Sequence, residues 1–441
     1  MVRWQSPPTG FPMSKYKPYP KYKESGVPEH WENHRIDWIS TIIRGNTGFK
    51  KDELLDDGEY VALQYGKTYK VDEVNETFKF YVNSEFYKFS QVVHCGDTIL
   101  ISTSETVEDL GHSCFYNRSD LGLIGGEQIL LKPNPKFVFE KYLYYASKVF
   151  SNNLKKYATG SKVFRFNIDH LKNIFISIAP LQEQKNIIFF LDQKIQKIDT
   201  LIEKQQTLIK LLKEKRQAVI SHAVTKGLDD AVEMKDSGVA WLGDVPEHWI
   251  VSVAKFVSKI FVPQRNKPEL NDIEGIYWVT MENMKEDYIH SSKTFVSKTA
   301  ASKSGSRVLK KGAILASCVG NFGVASINKV DIIINQQLQA FIPNKINIEY
   351  LRYMVLISKN YFEMIGTAST LIYVNKEGFE NLPITLPPLK EQKNIAQYLD
   401  QKTKQIDTLI SKSTQAIELL KERRTALISA VVTGKIDIQN T

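Results

Sequence analysis

The chain has 441 residues, with 58 Lys and Arg against 49 Asp and Glu for a formal net charge of +9. That length has room for two or three domains, each able to bury its own core. No run approaches the eighteen or so apolar residues that a membrane span needs, and three cysteines (Cys95, Cys114, Cys318) give no paired disulfide framework. The basic balance suits a polyanionic partner, and composition alone leaves nucleic acid and an anionic membrane surface both open.

In chain order, residues 1–23 read as an N-terminal extension. Residues 1–12 are polar and proline-rich, Met13 is an alternative start, and no apolar h-region follows, so a cytoplasmic protein is expected. Residues 24–179 form a first head, opened by ESGVPEHW from Glu24 to Trp31. Its short β-branched and aromatic runs predict strands over 60–63, 78–82, 91–94, 98–102 and 128–131. A helix is expected over 139–148 and a Gly-bearing loop at 158–162.

Residues 180–227 change character and predict one long helix. Pro180 stands just before it, where a missing N–H is harmless, and Glu183 falls in the first turn. A seam with alternating steps of three and four runs through Ile188, Leu191, Ile195, Ile198, Ile202, Gln205, Ile209, Leu212, Arg216, Val219 and Ala223, the pattern of a coiled coil. Gly227 supplies a stop.

Residues 228–387 form a second head, led by DSGVAWLGDVPEHW from Asp236 to Trp249. Strands are expected over 276–280, 307–309, 313–316, 332–334 and 339–342, a helix over 348–357 and a Gly-bearing loop at 366–370. GDTILIS after Cys95 matches GAILAS after Lys311, so the heads are expected to share a fold. Residues 388–434 then repeat the long helix, and 435–441 form a C-terminal tail. The second seam is Ala396, Leu399, Thr403, Ile406, Ile410, Ser413, Ile417, Leu420, Arg424, Leu427 and Val431.

The two helical segments align without a gap at an offset of 208, with 28 identities in 46 positions (180–225 against 388–433). A frame of this kind is a tandem duplication. Forty-four helical residues reach roughly 66 Å, and chain order lets the second helix pair with the first by running back. The fold class expected is α+β: two mixed α/β domains joined by two long antiparallel helices as a coiled coil, with a pseudo-twofold internal repeat. Leu191, Ile198, Ile202, Leu212, Leu399, Ile406, Ile410 and Leu420 are the candidate seam and partner-docking positions. Ile187, Leu201, Leu208, Leu211, Ile395, Leu409 and Leu419 add apolar positions off the seam. A simple dimerisation coil, or an adaptor that binds only protein, remains open at this point.

Candidate nucleic-acid contacts are Arg44, Lys50, Lys51, Lys67, Lys162 and Arg165 in the first head. In the second they are Arg265, Asn266, Lys267, Asn283, Lys303, Arg307 and Asn321. Arg and Asn can pair bidentately with guanine and adenine edges, and Lys more often meets phosphate. Catalytic signatures are weak. Glu183 and Lys185 form a Glu-x-Lys pair with Asp169 upstream, but the second copy, Glu391 and Lys393, has only Glu380 there. Asn134-Pro135-Lys136-Phe137 lacks the second proline of an amine-gripping loop, and Gly320-Asn321-Phe322-Gly323 reads as a turn. No phosphate-binding Gly-x4-Gly-Lys loop occurs, and His94, Cys95, His112 and Cys114 lack zinc-ligand spacing. No catalytic residue, metal site or cofactor is expected in this chain.

The doubled PLxEQKNI…LDQK…IDTLI…LLKE…R…VTGKID pattern and the YK-E/D-SG…VPEHW lead-in resemble the specificity subunits of type I restriction–modification systems. The resemblance spans about residues 14–438, with one departure: Lys226-Gly227-Leu228 stands where the second copy has Gly434-Lys435-Ile436. It implies two target-recognition domains that each read half of a bipartite DNA sequence in the major groove. It also implies helices that act as a spacer ruler and recruit two adenine-methylating subunits. Restriction and translocase subunits would join in the full complex, and S-adenosylmethionine, ATP and Mg would belong to the partners. Sites on one DNA face recur every 34–36 Å or so, which helices of this length can span.

Overall fold

The computed structural model describes residues 18, 19, 21, 23, 24, 26–366 and 372–438. The Met13 start and positions 367–370 of the second Gly-bearing loop lie outside the described residues. The chain divides into two compact units: residues up to Gln205 together with Gln415 onward, and Gln206–Thr414.

In the first unit the head contains β1 (Ser40–Arg44), β2 (Tyr60–Leu63), β3 (Glu73–Val74), β4 (Tyr81–Val82), β5 (Val92–Val93), β6 (Thr98–Ile101), β7 (Ser113–Tyr116), β8 (Gly122–Ile124) and β9 (Gln128–Pro133). Five of these form a mixed sheet in the order β1-β9-β6-β7-β3, and four form a second sheet, β4-β2-β8-β5. Helix α1 (Glu140–Phe150) buries Tyr142, Leu143 and Phe150 in a core shared with Trp31, Leu131 and Ile187.

The second head repeats this plan with β10 (Ser258–Phe261), β11 (Ile276–Val279), β12 (Tyr288–Ile289), β13 (Phe295–Val296), β14 (Ile314–Ser317), β15 (Ala325–Asn328), β16 (Ile332–Ile334) and β17 (Leu338–Pro343). Its five-stranded sheet runs β10-β17-β14-β15-β12, strand for strand the order of the first head. The companion sheet has three strands, β13-β11-β16. The heads therefore share a fold although their sequences diverge.

Several predicted strands are shorter than expected. Of 78–82 only Tyr81–Val82 pairs, because Phe78 N–H closes a turn on Asn75 O. Of 307–309 only Leu309 makes a bridge, to Ile332. Ser40–Arg44, Ser113–Tyr116, Gly122–Ile124 and Ala325–Asn328 pair without having been predicted. Each has only three to five residues, too few for a period to register, and the last three are buried throughout.

The long helices are α2 (Leu181–Lys226) and α4 (Leu389–Val432); between them lies α3 (Ile348–Ile357), the second head's counterpart of α1. In the first unit the C-terminal part of α4 packs on the N-terminal part of α2. Leu427, Ile428 and Val431 join Ile187, Leu191 and Ile195 in one core, and Arg424 Nε donates to Asp199 at 3.1 Å. In the second unit the parts are exchanged, and Arg216 donates twice to Asp407, at 3.0 and 3.3 Å. Both pairings are antiparallel.

Of the seam positions Leu191, Ile198, Leu212, Leu399 and Ile406 are buried, and Ile202, Ile410 and Leu420 are half-buried. Leu191, Ile198 and Leu399 lie in the cores of their units, and Ile202 and Leu420 pack against the core of the first. Ile187 and Ile395 are also fully buried, whereas Leu201, Leu208, Leu211, Leu409 and Leu419 are exposed. The unequal stops also resolve: α2 runs to Lys226 and turns on Gly227 (φ +84°), while α4 ends at Val432 before Gly434 (φ +70°).

Candidate nucleic-acid interface and duplicated sockets

In the first head, Arg44 at the end of β1 lies opposite Ile129, and Ile101 at the end of β6 lies opposite Gln128. The ends of β1 and β6 therefore share an edge with the start of β9. β2 runs parallel to β8 with Leu63 beside Ile124, and Thr47 bridges Gly125. So the segments that follow β1, β2, β6 and β8 all open at one end of the head. Exposed Arg44, Lys50 and Lys51 follow β1, and Lys67 follows β2, its ammonium 4.2 Å from the centre of the Phe80 ring. Phe164–Arg165 pairs with Thr103–Ser104 beyond β6 and brings Arg165, with nearby Lys162, to the same end.

The second head builds the same end from different residues. Phe261 lies opposite Ala340, Ser317 opposite Leu338, and β11 runs parallel to β16 with Val279 beside Ile334. Arg265, Asn266 and Lys267 follow β10, Asn283 follows β11 and Asn321 follows β14; all are exposed except half-buried Asn283. The Asn283 amide oxygen is committed to the Thr280 N–H at 2.9 Å. Arg307 reaches this end too: its guanidinium bonds Val262 O and lies 5.1 Å from the Phe261 ring centre. Lys303 is exposed on the helix Lys298–Ser304, one turn before Arg307, and no contact ties it to the others.

Sequence reasoning missed the glutamines that fix these loops. Buried Gln91 accepts from Asn46 N–H at 2.7 Å and donates to Arg44 O at 3.3 Å. In the second head Gln336 Nε2 lies 3.2 Å from Gln264 O and from Arg265 O. A loop whose carbonyls are held this way loses less entropy when it meets a ligand. Only long-range pairing reveals that role, because 45 residues separate Asn46 from Gln91.

At the base of each head the duplication reappears as side-chain wiring, at an offset of 208 except in the VPEHW lead-in, where Trp31 and Trp249 are 218 apart. Trp31 Nε1 donates to Glu183 at 3.1 Å and His30 Nε2 lies 2.7 Å from the other oxygen; Trp249 and His248 meet Glu391 at 3.0 and 3.0 Å. Phe139 N–H donates to Gln184 at 3.0 Å, and Asn347 N–H to Gln392 at 2.8 Å. Tyr145 donates to Asp192, and Tyr353 to Asp400. The sequence showed these residues as first-turn acids and a VPEHW lead-in without joining the two.

Glu183 is therefore a packing carboxylate, buried and bonded also by the Tyr19 hydroxyl, while Asp169 pairs with Lys172. The hydroxyl of Tyr19 is held well above its usual range by burial first and by Glu183 second. His112 Nε2 lies 2.9 Å from Val71 O, and Cys114 is buried in the sheet, its thiol pushed up to about 12 by burial. Asn134 Oδ1 accepts from Lys136 N–H, which closes a turn.

Charge also ties the first head to α4. Burial would raise the Asp72 carboxyl, but Lys148 and Arg424 overcome it and hold it down to about 2. In the second unit buried Arg352 instead bridges Asp287 at 2.7 Å and Asp400 at 3.5 Å.

The profile of the type I restriction modification DNA specificity domain matches residues 28–211 and again 252–419. The chain belongs to that family. The type I specificity family also supplies full-length relatives: the MjaVIII specificity subunit of Methanocaldococcus jannaschii is 26% identical, over 94% of this chain and 95% of its own. The EcoKI specificity subunit of Escherichia coli is 20% identical, over 94% and 90%. Among solved structures, one from a study of complex assembly and conformational transition of the type I R-M system has a TM-score of 0.70 at 18% identity, covering 93% of this chain and 99% of its own. The HsdS subunit from Thermoanaerobacter tengcongensis gives 0.52 at 16% identity, over 95% and 99%. These two share the fold. Each specificity domain of the family corresponds here to one head with the helix that follows it. No helix among the described residues is long and apolar enough to cross a membrane.

Proposed function

We propose that this specificity subunit is non-catalytic and reads an asymmetric bipartite target in double-stranded DNA, one half with each head. Its helices set the spacing of the halves and dock two methyltransferase subunits, and restriction–translocase subunits join in the full complex. S-adenosylmethionine, ATP and Mg belong to those partners, and flipping the target adenine out of the duplex is the partner's task.

The observation that carries this reading is a division of labour. The bonds that Trp31, His30, Phe139 N–H and Tyr145 make to Glu183, Gln184 and Asp192 recur from Trp249, His248, Asn347 N–H and Tyr353 to Glu391, Gln392 and Asp400. The loops at the other end of each sheet share no residue pattern. A frame that must present equivalent surfaces to two identical partners stays constant, and readers of different half-sites diverge. Exposed Leu201 and Leu419 in the first unit correspond, at the same offset, to Leu409 and Leu211 in the second. They offer matched apolar contacts for two copies of one partner.

The test is to map methylated adenines genome-wide in a host that carries the system, with and without this chain. One two-part motif with different letters in its halves is expected, and a palindromic motif would contradict the reading. Binding of the complex to a duplex with that motif should weaken steeply with salt as phosphate counterions are released. A flat salt response would leave the protein-only adaptor standing.

A further inference from the structure

Phe89 lies on the turn Phe89–Gln91 and is 87% exposed, more than any other large apolar side chain among the described residues. A lone exposed apolar group is ordinary on a protein surface. Phe89 differs because its neighbours are fastened to the loop after β1, at the end of the head where the candidate contacts lie. Lys88 Nζ donates to Asn46 O at 3.0 Å, and Gln91 holds Asn46 N–H and Arg44 O. At the base of the same segment Phe86 packs edge-on against Phe49 at 5.6 Å, and Tyr87 lies against Tyr60 at 5.4 Å. The turn thus holds one projecting ring and Lys88 against the start of the loop after Arg44, a loop that carries Lys50 and Lys51 together with Asp52, Glu53, Asp56 and Asp57.

Val92 and Val93, which continue from this turn, pair antiparallel with Leu123 and Gly122. That register puts Phe89 at the end of the head where the candidate contacts lie. We propose that Phe89 is a wedge that enters a base step in the half-site read by the first head and bends the duplex there; this rests on the DNA-reading function proposed above. A ring that projects from a DNA-reading end suits a partner whose interior is a stack of flat, apolar faces. An inserted apolar side chain exchanges base stacking for ring stacking, and the bend lets more of the reading end meet the duplex. Pyrimidine–purine steps unstack most easily, so the wedge favours such a step in that half-site. In the second head the corresponding segment from Ser297 to Arg307 exposes no large apolar side chain. The distortion therefore belongs to one half-site.

The experiment uses the assembled methyltransferase complex and a duplex that carries the mapped target, with 2-aminopurine placed in turn along the first head's half-site. The wild-type complex should raise fluorescence at one step. Phe89→Ala should lose that rise and bind about tenfold more weakly, the scale of one lost stacking contact, with an unchanged salt slope because no phosphate contact is removed. Phe89→Leu should keep part of the rise. An alanine variant that binds and lights up like wild type overturns the wedge. So does one that impairs assembly with the methyltransferase subunits while leaving the fluorescence intact, since Phe89 is then a protein contact. If the wild-type complex itself binds without salt dependence, the DNA-reading function fails and the wedge falls with it.

Discussion

A carboxylate that accepts from an indole N–H, a tyrosine hydroxyl and a histidine ring cannot be removed without losing all three bonds. Glu183 is in that position, with its side chain 4% exposed. Its duplicate Glu391 keeps only the indole and the histidine among the bonds described above, and is 30% exposed. A hydrogen bond to a charged group contributes about 1.5–3 kcal/mol. Glu183→Ala should therefore destabilise the chain by about 3 kcal/mol, and Glu391→Ala by clearly less, as read by urea midpoints at constant slope. Equal losses would mean that the Tyr19 bond contributes nothing. At this scale the sequence was half legible. Pattern placed both glutamates in a first helical turn, but 152 residues separate Trp31 from Glu183, and local patterning holds no information about such a pair. The same limit hid Gln91 and Gln336, whereas Arg44 and Arg265 stood out by residue type alone.

Among the elements, the long helices were the most legible because a periodic seam advertises itself along its whole length. Leu191 and Leu399 are fully buried where the seam puts them. The polar interruption at Arg216 and Arg424 was visible as a matched departure, and only the fold gave it partners in Asp407 and Asp199. The helix stops are where the two copies differ physically. Both stopping glycines have positive φ, which costs an L residue roughly 1–2 kcal/mol. A Cβ on Gly434 would meet Pro28 Cδ at 2.2 Å, whereas one on Gly227 would come no nearer than 3.3 Å, to Trp249. Gly434→Ala should thus cost more than the backbone term alone, and Gly227→Ala little beyond it. Thermal unfolding of the two variants checks the order, and a greater loss at Gly227 would refute it. The short strands were poorly legible for the opposite reason. A few residues buried on both faces, such as Gly122–Ile124, carry no period to read.

For the molecule as a whole, the duplication was plain in the sequence, while the common fold of the heads was hinted at by a single strand, GDTILIS against GAILAS. Heads diverge because a loop at a sheet end can change without disturbing the strand order, and the helices cannot change in this way without losing their seam. That asymmetry makes helix length an independent variable. Arg216 meets Asp407 in one unit and Arg424 meets Asp199 in the other, so an insertion must be made in both helices to keep both pairs. Seven residues restore the phase of the seam. The matched places are after Gln205 and after Ser413, where polar seam residues already interrupt the apolar run. One heptad in each helix adds about 10 Å of rise, the length of roughly three base pairs. With both insertions, the methylated motif should keep the letters of its two halves and gain about three base pairs between them. Inserting the heptad in one helix alone should break one ion pair and the seam, and cost stability without yielding a new spacing. Methylation mapping of the wild-type, singly and doubly extended chains reads both outcomes, with urea midpoints as the control for folding. If the double insertion changes the half-site letters, or leaves the gap unchanged in a stable protein, the helices are not the ruler.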